Sequence, residues 1–144
     1  MTEPPPLPGA RSRVARHLFE AYLCAAMILV GVAGLIEPAA RARSIVAAFP
    51  PAAQLAWYAG LLVGGGLTVM GLLAISAAGL QLERSGLLVL AGLCASFSVA
   101  SFAFAGWSSL TGSALLLSLA AACFVRSCQV SRDIGIIRRG IVSP

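Results

Sequence analysis

The chain has 144 residues, of which 59% are hydrophobic and 10% are charged, and its formal net charge is +5. Its mean hydropathy is +0.93. A soluble domain of ordinary composition has about 25% charged residues, so this chain lacks the polar surface that a water-soluble globule needs, and a lipid bilayer is the expected solvent. All ten basic residues are arginines that flank apolar runs, a placement that fits lipid headgroups and argues against a nucleic-acid partner.

The first apolar run is expected to be a membrane span. Residues 1–16 are rich in proline and lack apolar periodicity, which predicts a disordered or extended tail. Residues 18–36 follow, and about 19 residues at about 1.5 Å each span about 28 Å, close to the hydrocarbon core of a bilayer. A cleaved signal peptide has a shorter apolar core. Glu20 lies near the helix start, so we expect it to reach the interface and to have no role in a site.

A short amphipathic segment separates the first and second apolar runs. Residues 39–49 place their larger apolar side chains on one side of a helix, while Arg41 and Arg43 point elsewhere. This pattern predicts a short helix in the membrane interface, with both arginines toward the headgroups. Pro50 and Pro51 are expected to end it.

Three further spans are predicted in the remaining apolar sequence. Residues 55–80 carry no charge and are long enough for a tilted span. Glu83 and Arg84 then interrupt the apolar sequence. The charge-free stretch that follows is too long for one span and fits two, 85–105 and 110–125, joined by a tight turn at the polar residues between them.

The arginines predict how the spans are oriented. Residues 17–126 form the predicted four-span domain, and residues 127–144 a basic tail on the membrane surface, where Arg132, Arg138 and Arg139 meet the headgroups. Four spans place both termini on one side. That side holds eight arginines, and only Arg41 and Arg43 lie opposite, so the positive-inside rule predicts a multi-pass protein of the cytoplasmic membrane with both termini cytoplasmic.

The predicted fold is all-α: an integral membrane four-helix bundle with a short interfacial helix between spans one and two. Small residues at intervals of four allow membrane helices to approach closely, and such stripes occur on three spans. The pattern leaves open which of these faces pack within one chain and which between chains. The predicted helix-packing residues are Gly60, Gly64, Gly65, Gly92, Ser96, Ala100, Ala114, Ser118 and Ala122.

The sequence offers little for catalysis or for cofactor binding. The glycines at 64–66 match no phosphate-binding loop, which requires a lysine that the chain lacks. Ser96, Ser98 and Ser101 are predicted to lie on different helix faces and to bond to backbone. The four cysteines form no C-x-x-C pair and are expected to be packing residues, with Cys128 the accessible thiol. We therefore expect no enzyme, no cofactor and no metal site.

Several short motifs resemble small four-span membrane proteins of actinobacteria and their phages. They are the arginine-bearing amphipathic stretch, Phe49-Pro50-Pro51, Trp57-Tyr58-x-Gly60, a Gly-rich second span, Glu83-Arg84-x-Gly86 and Arg126-x-x-Gln129-x-x-Arg132-Asp133. The resemblance covers about residues 15–139 and implies holin-like pore formation or modulation of the host envelope. A weaker likeness is to DoxX-like four-span proteins, although the acid that often accompanies their second span is absent here.

The leading functional expectation is a non-enzymatic membrane protein that acts by assembling in the cytoplasmic membrane, in a holin-like or envelope-modulating role. Its expected partners are the lipid bilayer and either further copies of the chain or another membrane protein. Two alternatives stay open: an accessory or anchoring subunit of a membrane complex, and a DoxX-like redox-associated membrane protein.

Overall fold

The computed structural model describes residues 10–37, 49–74 and 76–142, with side chains described at 18, 20–37, 49–74, 76 and 78–135. All regular secondary structure in these residues is helical, which confirms the predicted all-α class. A 3-10 turn, Gly106–Ser109, joins the last two helices. The four α-helices are α1 (Ala10–Ile36), α2 (Pro51–Leu73), α3 (Ala77–Ala105) and α4 (Leu110–Val142).

Helices α1 and α2 run antiparallel in close contact. Near the end of α1, Gly31 lies against the backbone of Tyr58, which is early in α2. Further along α2, Gly65 lies against Ile28, which is earlier in α1. The residue numbers rise on one helix as they fall on the other, and the missing side chains at the glycines let the two backbones approach.

The next two pairs of helices continue the antiparallel order. Between α2 and α3, Gly64 lies against Leu90 and Gly71 lies against the backbone of Glu83. Between α3 and α4, the Ser98 hydroxyl donates a hydrogen bond of 2.6 Å to the Ser113 carbonyl oxygen. Each helix therefore packs against its neighbour in the chain.

A break marked by Ala74 and Ser76 separates α2 from α3, inside the predicted second span 55–80. Ala74 has an extended backbone, and the Ser76 hydroxyl caps α3 by accepting a 3.0 Å hydrogen bond from the Gly79 N–H. An N-terminal serine cap satisfies one of the free N–H groups that begin a helix. Residues 77–80 thus belong to α3, and the charged pair at 83–84, predicted to separate two spans, lies within that helix.

The terminal segments also differ from their predicted form. Residues 10–16, part of the predicted disordered tail, belong to α1, while residues 1–9 lie outside the described part of the chain. The predicted tail 127–144 continues α4 as one helix to Val142. The predicted interfacial helix at 39–49 lies outside the described residues except for Phe49, whose ring is centred 4.7 Å from that of Phe97.

Two helical stretches are long and apolar enough to cross a membrane. They are Pro51–Leu73 and Ala78–Gly135, the second of which contains α3, the turn and most of α4. The apolar part of α1, Glu20–Ile36, is shorter. About 20 apolar residues are needed to cross a hydrocarbon core, so length and composition are consistent with membrane association.

Candidate functional site

Three charged side chains from three helices meet at one end of the fold. Arg126 of α4 donates a hydrogen bond of 3.0 Å from Nη2 to Oε1 of Glu83 on α3. Its Nε lies 2.9 Å from Oε1 of Glu20 on α1, an ion pair that does not meet hydrogen-bond geometry. We call these three residues the charge cluster, and the end of the fold that holds them the charged end; the opposite end, at the 3-10 turn, is the turn end.

The charge cluster is largely withdrawn from solvent. The Glu83 side chain is 3% exposed, and those of Glu20 and Arg126 are each 19% exposed. Burying a charged group is unfavourable unless another charge and hydrogen bonds compensate for its lost hydration. The guanidinium supplies that compensation to two carboxylates at once, so it ties α1 and α3 to α4.

Glycines on α2 and α3 let these helices approach closely beside the cluster. Gly71 packs so tightly that a Cβ there would overlap the backbone of Glu83, and a Cβ at Gly86 would overlap Thr68. Thr68 is 1% exposed, and its hydroxyl donates a 2.8 Å hydrogen bond to the Gly64 carbonyl oxygen. Helix α2 thereby covers Glu83 without adding a charge of its own at this contact.

Buried serines join α3 to α4 toward the turn end. The Ser98 hydroxyl bonds the carbonyl of Ser113, and the Ser109 hydroxyl bonds that of Ser101 at 3.0 Å. Ser98 and Ser101 are both buried, so the prediction that they lie on different faces is wrong for this pair, because three residues advance a helix by nearly one turn. The Ser98 and Ser109 hydroxyls thus hold these elements together, whereas the buried hydroxyls of Ser101 and Ser113 have no hydrogen-bond partner among the described residues.

The predicted packing glycines of α2 lie at two different helix contacts. Gly60 and Gly64 lie against leucines of α3, and Gly65 lies against Ile28 and the Cys24 carbonyl of α1. The third glycine of the run, Gly66, has no neighbouring atom within 4 Å of where a Cβ would stand. Gly64 therefore lets α3 approach α2, and Gly65 lets α1 approach it, whereas Gly66 takes part in neither contact.

The predicted small-residue stripes of α3 and α4 lie mainly on the outer surface. Ala100 is half-buried, and the other five side chains or positions are exposed. Between the two helices lies an outer groove of about 450 Å³, to which Gly92 and Ala121 contribute. The five exposed residues of the two predicted stripes are Gly92, Ser96, Ala114, Ser118 and Ala122.

Three of the four cysteines are buried, and the one predicted membrane-surface arginine whose side chain is described is exposed. Cys24, Cys94 and Cys123 are buried in the apolar core, whereas Cys128 is exposed. Arg132 is exposed on α4. Arg138 and Arg139 lie on the same helix, but their side chains are outside the described part of the structure. Arg41 and Arg43 lie wholly outside the described residues.

Sequence reasoning missed the charge cluster because it treated charged residues as markers of span ends. A usable signal was nevertheless present in the distances along the helices. Glu20 lies about 24 Å along the axis from the end of α1 at Ile36, and Arg126 lies about 24 Å from the start of α4 at Leu110. Antiparallel helices of one bundle would bring these two charges to the same level.

The geometry defines only a broad class: an all-helical protein with membrane-length apolar helices and a buried charge cluster. Among the described residues, no group of three histidine, cysteine or acidic side chains is placed to hold a metal ion. Comparison of the chain with protein-family models, with curated proteins and with solved structures finds no match.

Proposed function

We propose that this chain is a non-enzymatic integral protein of the cytoplasmic membrane whose four helices form a membrane bundle. The observation that carries the proposal is the apolar outer surface of every helix. Exposed large apolar side chains occur on all four, and such a surface is stable only when lipid or another apolar surface covers it. Representative exposed side chains are Leu29 on α1, Val63 and Met70 on α2, Val99 and Phe104 on α3, and Leu115 and Phe124 on α4.

The arginine distribution supports an orientation for this bundle. The charged end contains Arg84 and Arg126, and α4 continues beyond it through Arg132. Cytoplasmic segments next to membrane spans carry an excess of arginine and lysine. The charged end therefore faces the cytoplasm in our proposal, and the 3-10 turn with the exposed Trp107 faces the outer interface, where tryptophan is enriched.

Assembly with other helices is the proposed mode of action. Gly92 and Ser96 on α3, and Ser118 and Ala122 on α4, are small residues exposed on the outer surface, and no helix covers them in the described part of the chain. Small residues at such spacing allow close contact between membrane helices. We infer that this surface binds further copies of the chain, with a holin-like pore as the functional form of the assembly.

Leucine at Gly92 and Ser96 is expected to reduce the oligomer size in lipid vesicles, because large side chains keep helix backbones apart at this surface. Cross-linking or single-molecule photobleaching would report the number of copies. Gly112→Leu is the matched control, since no atom lies within 4 Å of a Cβ at that exposed position. Equal oligomer sizes for all variants would contradict assembly through this surface.

Membrane potential during expression tests the holin-like form separately. Full induction of the chain in a bacterial host should collapse the potential, and the Gly92→Leu variant should delay the collapse. A potential that survives full expression would rule out pore formation, whatever the oligomeric state.

A second candidate function is that of an accessory or anchoring subunit. Helix α4 continues about 24 Å beyond Arg126 to Val142. Val130 and Ile134 still pack against the core, whereas Arg132 is exposed and presents its charge to a soluble or membrane partner. Purification in mild detergent should then recover a specific partner, and simultaneous Arg132→Ala, Arg138→Ala and Arg139→Ala substitutions should lose it. A homogeneous protein without a partner would count against this candidate.

A further inference from the structure

An apolar groove opens between α1 and α4, the first and last helices of the fold. Its volume is about 180 Å³, and Ala26 and Val30 at its edge are exposed. Residues of all four helices line it, so the groove reaches the centre of the fold. Its walls and floor include Leu23 and Met27 of α1, Leu116 and Leu119 of α4, Trp57 of α2 and Cys94 of α3.

The groove begins just inside the charged end and runs toward the middle of the fold. Leu23 lies three positions after Glu20, about 5 Å further along α1, and Val30 lies about 15 Å from Glu20. A bilayer core is about 30 Å thick, so one leaflet contributes about 15 Å of hydrocarbon. With the charge cluster at the headgroup boundary, the groove lies about 5–15 Å below it, at the depth of the inner part of the acyl chains in that one leaflet.

The size of the groove selects a slender occupant. A helix with its side chains is about 10–12 Å across, whereas an apolar cavity of about 150 Å³ holds a single benzene ring. A groove of about 180 Å³ therefore holds a short segment of a hydrocarbon chain and is too narrow for a helix from a second copy. The apolar lining offers no partner to the hydrogen-bonding groups of water.

We propose that one acyl chain of a phospholipid from the leaflet at the charged end occupies this groove. The proposal rests on the proposed function, because it requires the bundle to span a membrane. The exposed Arg84 at the charged end supplies positive charge complementary to the lipid phosphate, whereas the charge of Arg126 is already balanced by Glu20 and Glu83. The acyl chain fills the groove between α1 and α4, and the charge cluster lies just beyond one end of that groove.

Photolabelling with a diazirine-bearing phospholipid tests this assignment. The full chain is reconstituted in vesicles of phosphatidylethanolamine and phosphatidylglycerol that contain a small fraction of the probe, and the adducts are mapped by mass spectrometry. We expect adducts concentrated at 23–30 of α1 and 116–119 of α4. Ala26→Phe, which fills the groove, should reduce them several-fold, whereas Ala121→Phe in the outer groove between α3 and α4 should leave them unchanged.

Three outcomes would overturn the lipid assignment. Adducts spread evenly over the exposed apolar faces, or adducts that Ala26→Phe leaves unchanged, would show that the groove has no preference for a lipid chain. Oxidative cross-linking of a Val30→Cys variant to a second copy would identify a protein occupant. If Ala26→Phe fails to fold, the wild-type adduct map decides. Extraction of the chain from membranes by alkaline carbonate would instead refute the membrane bundle itself, which separates the two failures.

Discussion

Replacement of Arg126 by methionine is expected to lower the free energy of unfolding by about 3 kcal/mol. Methionine keeps much of the side-chain volume but removes the cation that bridges Glu20 and Glu83. Removal of one partner from a buried ion pair destabilises a protein by about 3–5 kcal/mol because a buried charge is left behind, and the 19% exposure of two of the three side chains places the estimate at the lower end. Unfolding in mixed detergent micelles would measure the change.

A double-mutant cycle separates the ionic contact from other effects of the substitution. Glu83→Gln should destabilise more than Glu20→Gln, since the Glu83 side chain is 3% exposed and that of Glu20 is 19% exposed. In the double variant with Arg126→Met, Glu83→Gln should have a smaller effect than it has alone, because residues in direct contact are energetically coupled.

Arg132→Met is the control for the loss of one arginine from α4. Arg132 is exposed, and exposed substitutions usually change stability by no more than about 0.5 kcal/mol. If Arg126→Met and Arg132→Met had equal effects, the charge cluster would not hold the helices together at the charged end.

The helical character of the fold follows directly from the sequence. Charge-free runs of membrane length leave a helix as the simplest way to satisfy backbone hydrogen bonds in lipid, and the tight turn predicted between 105 and 110 is where the 3-10 turn lies. Gly106 has a φ of 55° in that turn, a conformation that glycine adopts readily. Composition and turn chemistry were sufficient for these elements.

The charge cluster and the end of α2 depend on information that a hydropathy pattern lacks. Ala74 and Ser76 break a run without any charge or proline, and the break depends on a single serine cap. Glu83 is buried only because Gly71 and Gly86 bring α2 against it. The hydropathy pattern of one helix does not show which residue of another helix lies beside a given charge. It also does not show which face of the helix a neighbour covers.

Gly71→Ala and Gly66→Ala are expected to change stability in opposite directions. At Gly71 the new Cβ would overlap the backbone N and Cα of Glu83, so α2 and α3 must separate. Overpacking of this kind costs about 1–3 kcal/mol. At Gly66 no atom lies within 4 Å of the Cβ position, and alanine favours a helix over glycine by about 1 kcal/mol, so that variant should be unchanged or more stable.

The same contact gives Gly71→Ala a second expected effect, on the charge cluster. Displacement of Glu83 away from α2 moves its carboxylate relative to Arg126, so Arg126→Met should cost less stability in the Gly71→Ala background than in the wild type. Gly64→Ala provides an intermediate case, because its Cβ would meet the Leu90 side chain at 2.9 Å, and a leucine can change rotamer where a backbone cannot move alone. Equal changes in stability at Gly64, Gly66 and Gly71, with no larger loss at Gly71, would show that the close approach of α2 to α3 does not govern these positions.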